Sequence, residues 1–250
     1  MSKIYSADVV NIAAGEVGYI EKATNKDLDS KTANPGTGNW TKYARDLWAA
    51  DPHFYQGPKN GYDWCAVFVD WCVYIAADRD SQRAQDAMYY KGPYGAGCGP
   101  SVSYYKAGGA WYDRVDNSRL FVPKPGDQIF FGSASAVQHT GLVERVEDGV
   151  VYTIEGNSDN MVRRRSYALS NSYILGYGRP GYDGDSKPSD IPFVDVPEDA
   201  WYHDAVEWGY ENGVTKGVDP THFAPDRPCT RAEVMQMLYK MNLAEGGRLT

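Results

Sequence analysis

Gly61-Tyr62-Asp63-Trp64-Cys65-Ala66-Val67-Phe68-Val69-Asp70-Trp71-Cys72-Val73-Tyr74-Ile75-Ala76-Ala77 is the stretch on which the fold turns. From Cys65 onward its only polar groups are Asp70 and Tyr74, four apart and so on one helical face; nearly every other side must be covered by protein. The segment is expected to be a central helix with the remaining elements packed around it. Gly61 supplies a turn and Asp63 a candidate N-cap, which puts Cys65 in the first helical turn, where unsatisfied N–H groups and the helix dipole favour a thiolate. Cys65 is therefore a candidate nucleophile, weighed against the plainer reading that a buried cysteine only packs. Cys72 suits that plainer reading, because it lies roughly 10 Å further along the helix and cannot bridge to Cys65.

Working outward, Ser6 can cap a first amphipathic helix carrying Val9, Val10, Ile12, Ala13 and Val17. Residues 21 to 38 read as loop, a short helix is expected around Thr41 to Ala49, and the segment from Asp51 to Pro58 is extended. After the central helix come a helix near Ser81 to Tyr90, a Gly-rich loop holding Cys98, and a short helix opening at Pro100, where proline suits the first turn. From Pro123 the period changes to that of strands. The runs from Gly126 to Phe131, His139 to Val146, Gly149 to Glu155, Met161 to Ala168 and Tyr173 to Tyr177 are rich in β-branched and aromatic residues. Helices first and strands afterwards predict an α+β domain whose antiparallel sheet packs on the central helix.

One hairpin in that sheet carries a sharper expectation. A two-residue Asp148-Gly149 turn would send Glu155 and Asn157 to the opposite face from His139 unless a bulge intervened. A three-residue loop, Glu147-Asp148-Gly149, would instead pair Val146 with Val150, His139 with Asn157 and Gly141 with Glu155. It would also gather Leu142, Val146, Val150, Tyr152 and Ile154 on one apolar face, so this register is expected.

Pro180 to Asp190 is a linker by composition and divides the chain into residues 1–179, a linker over 180–190, and a small module over 191–250. That module holds two helix patterns, about Ala200 to Asn212 and Thr230 to Met241, the second opening on the capping box Thr230-Arg231-Ala232-Glu233. A net charge of -8 with no basic block argues against nucleic acid or an anionic membrane as partner. Cys65, Cys72, Cys98 and Cys229 lack the spacing of a disulfide framework or zinc site, so free thiols and no metal or other cofactor are expected. No run is apolar and long enough for membrane insertion, and Asp8, Asn11 and Glu16 break any signal-peptide core at the N-terminus. The chain as given is thus expected to be made in the cytoplasm.

Cys65 at a helix start, Lys124-Pro125-Gly126-Asp127-Gln128-Ile129-Phe130-Phe131, His139-Thr140-Gly141-Leu142-Val143 and Ile154-Glu155-Gly156-Asn157 together resemble the CHAP family, over most of residues 6 to 179. The resemblance implies a papain-like fold and hydrolysis of bacterial peptidoglycan, at the muramoyl–peptide amide or at a peptide bond. Residues 193 to 240, with Phe193-Val194-Asp195-Val196-Pro197 and Phe223-Ala224-Pro225-Asp226-Arg227-Pro228-Cys229-Thr230-Arg231-Ala232-Glu233, resemble one S-layer homology repeat. Such repeats are implied to hold proteins on secondary cell-wall polysaccharide. They usually come in threes with a three-fold arrangement, which three copies of this chain could imitate as a homo-oligomer.

A cysteine hydrolase needs a thiolate, a base and a group orienting the base. Cys65, His139 and Glu155 fill those roles, while Asn157 could orient the imidazole or bind the oxyanion. His53 lies in a Pro-flanked loop and His203 and His222 belong to the small module, which leaves His139 as the base. Cys98 is the second candidate nucleophile. Trp64 and Trp111 are candidates for a substrate groove, although core packing is the plainer reading of each. Arg231, in a first helical turn where arginine opposes the dipole, is a candidate for an anionic polymer. Trp201 is a second candidate for that polymer and, with Tyr202, is otherwise read as core. Two functions remain: an endolysin-like peptidoglycan hydrolase released by phage or secreted, and an inactive wall-anchored protein. The intact Cys65, His139 and Glu155 favour the first.

Overall fold

The structure, a computed structural model, describes residues 3–91, 97–116, 118–133, 135–185, 191–197 and 200–244. The chain divides into two compact units, Met1–Lys187 and Pro188–Thr250. Of the expected linker, residues 186–190 lie outside the described residues.

The first unit is α+β. Helices α1 (Ser6–Gly15), α2 (Lys42–Ala50), α3 (Cys65–Ala76), α4 (Ser81–Ala87) and α5 (Cys98–Ala107) precede the strands β1 (Trp111–Asp113), β2 (Val115–Asp116), β3 (Arg119–Leu120), β4 (Gln128–Ser133), β5 (Ala136–Glu147), β6 (Val150–Glu155), β7 (Arg163–Ala168) and β8 (Ile174–Gly178). Six of these strands form one antiparallel sheet in the order β1-β8-β4-β5-β6-β7, and β2 and β3 make a separate hairpin. β1 has no counterpart among the expected strands: it is short, and pairing with β8 is what makes it a strand.

The α3 segment is buried on all sides from Cys65 to Tyr74, between α1, α2 and α4 and the strands β5 and β6. Val67, Phe68 and Val69 pack with Tyr19, Tyr43, Leu142 and Ile154, each such side chain contributing about 1.5–3 kcal/mol when removed from water. The Tyr43 ring sits among Tyr19, Trp64, Phe68 and Trp71 at centroid distances of 4.8, 5.6, 5.2 and 5.0 Å, the tilted and edge arrangements that aromatic quadrupoles favour. The polar face is covered as well. Asp70 is fully buried and accepts hydrogen bonds from the hydroxyls of Tyr55 (2.5 Å) and Tyr90 (2.8 Å), which compensate its burial. Burial still lifts its carboxyl to about 7.

Two local expectations are corrected. Asp63 does not cap α3: the capping position is Trp64, which makes no side-chain cap, and Asp63 accepts instead from the Asn157 amide. The β5–β6 hairpin uses the two-residue turn, with Asp148 and Gly149 at φ 49° and 76°, pairing Glu147 with Val150 and Val146 with Val151. The register then shifts between Val143 and Arg145, so that Glu144 is an extra residue, and Leu142 faces Ile154. This bulge restores at the far end the face-sharing that a three-residue loop would have given. A Cβ on Gly141 would stand 2.6 Å from Glu155 Cγ, which places Gly141 directly against the carboxylate. The apolar-face argument failed because the sheet has two buried faces. Leu142 and Ile154 join the helices, whereas Val143 and Val151 pack with Ile129, Phe131, Ile174 and Tyr177.

The second unit holds α6 (His203–Glu211) and α7 (Arg231–Ala244), and a small core of Phe193, Val196 and Val206, the last from α6. The Asp195 carboxylate accepts from the backbone N–H groups of Phe223 and Ala224, and Thr230 and Glu233 form the expected capping box. Trp201 is not core: it is 93% exposed. Among the described residues no helix is long and apolar enough to cross a membrane.

Candidate active site

The apolar run of α3 begins at residue 65 and so sets the cysteine at the helix start, where the leading N–H groups have no intrahelical partner. Cys65 Sγ lies 3.6 Å from Cys98 Sγ at the start of α5, and the His139 ring acts on the same sulfur electrostatically. His139 projects from β5 and its Nε2 lies 2.9 Å from Glu155 Oε2. Glu155, at the end of β6, is almost fully buried and is held by His139 and the Thr153 hydroxyl (2.6 Å to Oε1), and its charge raises the nearby Tyr167 hydroxyl, which burial raises first. Phe131 stacks on the imidazole at 5.9 Å. With the bulge at Glu144, residues 139 and 141 share a face with 153 and 155, so the sheet itself aligns base and carboxylate.

The charges follow from these contacts. The Cys98 thiol donating to the Cys65 sulfur, and then His139, hold Cys65 well below the usual thiol range in spite of burial. Burial pulls His139 down, but its interactions with Cys65 and Glu155 outweigh it and raise the ring to about 9. Cys98 is pushed upward by the same hydrogen bond and by burial, so it keeps its proton. The directions of these shifts favour a thiolate on Cys65 beside a protonated His139, with the second thiol against the sulfur.

Glu155, not Asn157, holds the imidazole. Asn157 lies in the turn after β6 at φ 54° and donates to Asp63 Oδ1 at 3.1 Å, tying that turn to the segment that delivers Cys65. Trp64 is also corrected as a groove residue, because it is fully buried, with Nε1 donating to Glu21 Oε2 at 2.8 Å. Trp111 is half-buried and packs on Phe130 beside the cluster that holds Cys65 and Cys98. Arg231 stands exposed at the first position of α7, and Trp201 is exposed in the same unit. Sequence reasoning passed over Thr153 and Tyr167 and set Cys98 in a loop. Strand parity signals Thr153, two residues before Glu155, and Pro100 in a first turn signals that Cys98 opens a helix.

Residues 57–157 match the family model of the CHAP domain, and residues 192–235 match that of the S-layer homology domain. The chain carries both domains, in that order. A Surface-layer 125 kDa protein of Lysinibacillus sphaericus is 44% identical over 57 residues, 23% of this chain and 5% of that protein, so the chain spans about one twentieth of this curated relative. Among solved structures, Ly7917 with the hydrolysis product of MDP is 16% identical with a TM-score of 0.40, over 70% of this chain and 62% of the other. An N-acetylmuramoyl-L-alanine amidase from Bacteroides uniformis is 11% identical with a TM-score of 0.38, over 70% and 98%.

Proposed function

We propose that this chain, a CHAP domain followed by an S-layer homology domain, is a cysteine-dependent peptidoglycan hydrolase. It cuts an amide or peptide bond of the stem peptides while the small domain holds it on wall polysaccharide. The observation that carries this reading is His139 held on the buried Glu155 carboxylate at 2.9 Å, with the same ring acting electrostatically on Cys65 at the start of α3. The Cys65 thiolate attacks the carbonyl carbon, and the oxyanion forms beside the first N–H groups of α3. The His139 imidazolium then gives its proton to the leaving amine as the tetrahedral intermediate collapses to a thioester. Neutral His139 next takes a proton from water, the hydroxide attacks the thioester, and the thiolate departs with its ion pair restored. Glu155 accepts from Nε2 throughout and fixes the ring plane, itself held by Thr153. Trp111 is the aromatic side chain assigned to the substrate.

Mass spectrometry of fragments released from Gram-positive walls tests the reading. A new free amine on the first alanine of the stem identifies the amidase, and one on glycine or a diamino acid identifies the endopeptidase. Walls returned without any new amine would refute hydrolysis and leave the wall-anchored binding protein.

For the small domain, Arg231 and Trp201 are assigned to the anionic polymer, and the single repeat acts in several copies. Val234, Met235, Leu238 and Tyr239 are exposed on α7, and association of three chains would cover them. Sedimentation equilibrium is expected to give a trimer mass. A strict monomer that binds walls tightly would exclude it.

A further inference from the structure

Cys65 and Cys98 each open a helix, α3 and α5, and the two helix starts meet with the sulfurs at 3.6 Å. That is about 1.6 Å longer than a disulfide bond, a gap that small side-chain rotations can close. Hydrolysis uses only one thiol, yet the second lies in the same buried cluster, with Tyr105, Ala110 and Phe130 around both. The juxtaposition is anchored. Gly97, at φ 156°, turns the chain into α5, and Ser101 in its first turn contacts the Tyr90 hydroxyl, which in turn donates to the buried Asp70 of α3. Cys72 is fully buried further along α3, and Cys229 lies in the other unit.

We propose that Cys65 and Cys98 are an oxidisable pair, which a peroxide converts into an intrachain disulfide that withdraws Cys65 until a thiol reductant reopens it. In the first step the Cys65 thiolate attacks one oxygen of hydrogen peroxide. An S–O bond forms, the O–O bond breaks, and the sulfur loses two electrons to become a sulfenic acid. The departing hydroxide takes the His139 proton and leaves as water. In the second step Cys98 Sγ attacks Cys65 Sγ; the S–S bond forms, the S–O bond breaks, and the hydroxide leaves with the Cys98 proton as a second water. Two thiols and one peroxide thus give one disulfide and two waters. The neighbouring thiol traps the sulfenic acid before a second peroxide can carry it to the irreversible sulfinic acid. The low proton affinity of the Cys65 sulfur makes it the peroxide-reactive member, and Cys98 the resolving one.

The test uses the full chain exposed to about one equivalent of hydrogen peroxide, quenched with iodoacetamide and digested without reductant. Labelling of Cys65 and Cys98 is expected to fall together by about tenfold, with a cross-linked peptide joining them, and dithiothreitol is expected to restore both. In Cys98→Ser the same treatment is expected to drive Cys65 to the sulfinic acid, which dithiothreitol does not recover. Wild-type protein in which Cys65 reaches the sulfinic acid while Cys98 still labels, or in which the cross-link joins other cysteines, would overturn the proposal. The wild-type arm decides even if the variant does not fold. The readout is the mass of thiol peptides and needs no wall lysis, so its failure is distinguishable from failure of the hydrolase reading.

Discussion

Cys65→Ala is expected to lower the rate of wall lysis by about 10⁴-fold or more while leaving wall binding in place, because every covalent step uses that sulfur. His139→Ala is expected to fall nearly as far. The two losses should not add, since each removes the same ion pair. The pH profile follows from the same pair. Activity rises as Cys65 loses its proton, on an acid limb displaced well below the usual thiol range, and falls as His139 loses its proton near pH 9. Stability moves with it, and the sign is set by the direction of each shift. His139 is raised in the folded chain from 6.5 to about 9, so its contribution is full below pH 6.5 and lost as pH rises through 9. Cys65 is lowered from 9.0, so its contribution is present above pH 9.0 and lost as pH falls through the folded value. Lysis rates and urea midpoints measured from roughly pH 5 to 10 check both statements. A Cys65→Ala protein with a tenth of wild-type activity, or an alkaline limb centred near neutrality, would remove the thiolate–imidazolium pair from the mechanism.

Trp64→Ala is expected to destabilise the first unit by about 3–5 kcal/mol, the range for truncating a large buried aromatic. The indole is fully buried against Tyr43 and Tyr19, and little in the surrounding aromatic cluster can collapse into the space it leaves. A second cost comes from Glu21, 1% exposed, whose Oε2 would lose the indole donor. Trp64→Phe separates the two effects: it fills most of the space but leaves Glu21 Oε2 without its donor, at about 1–3 kcal/mol, while Oε1 keeps the Asn39 N–H. The melting temperature of the alanine variant should drop by roughly 10 °C, given the 2–4 °C per kcal/mol usual for domains of this size. A rise in KM at unchanged melting temperature would instead make Trp64 a groove residue. Because Trp64 immediately precedes Cys65, its anchoring also sets where α3 begins.

What could be read in the chain alone is whatever depends on local order. An apolar run from Cys65 to Ala77 interrupted only by Asp70 and Tyr74 identifies the central helix, and runs of β-branched and aromatic residues after Pro123 identify the strands, because both signals are properties of a few adjacent side chains. Cys65 stood out because a helix start is local, and His139 and Glu155 because they lie in short motifs that resemble the CHAP family, although β5 begins three residues before the strand start expected at His139. What the tertiary structure decided depends on partners far along the chain. The bulge at Glu144 sits in a strand with buried residues on both faces, Leu142 with the helices and Val143 with Ile129, Phe131 and Ile174 of β4 and β8, and no window of sequence records which distant side chains will cover a strand. Trp64 is core and Trp201 exposed because Glu21 and Tyr43 close over the first and nothing described covers the second, although both look alike as sequence. Cys98 meets Cys65 across thirty-three residues only because Asp70, Tyr90 and Ser101 join the two helices in the interior. Side-chain type and period are carried by the chain itself, whereas which groups meet is set by long-range packing free energy, and that exists only once the whole core has closed.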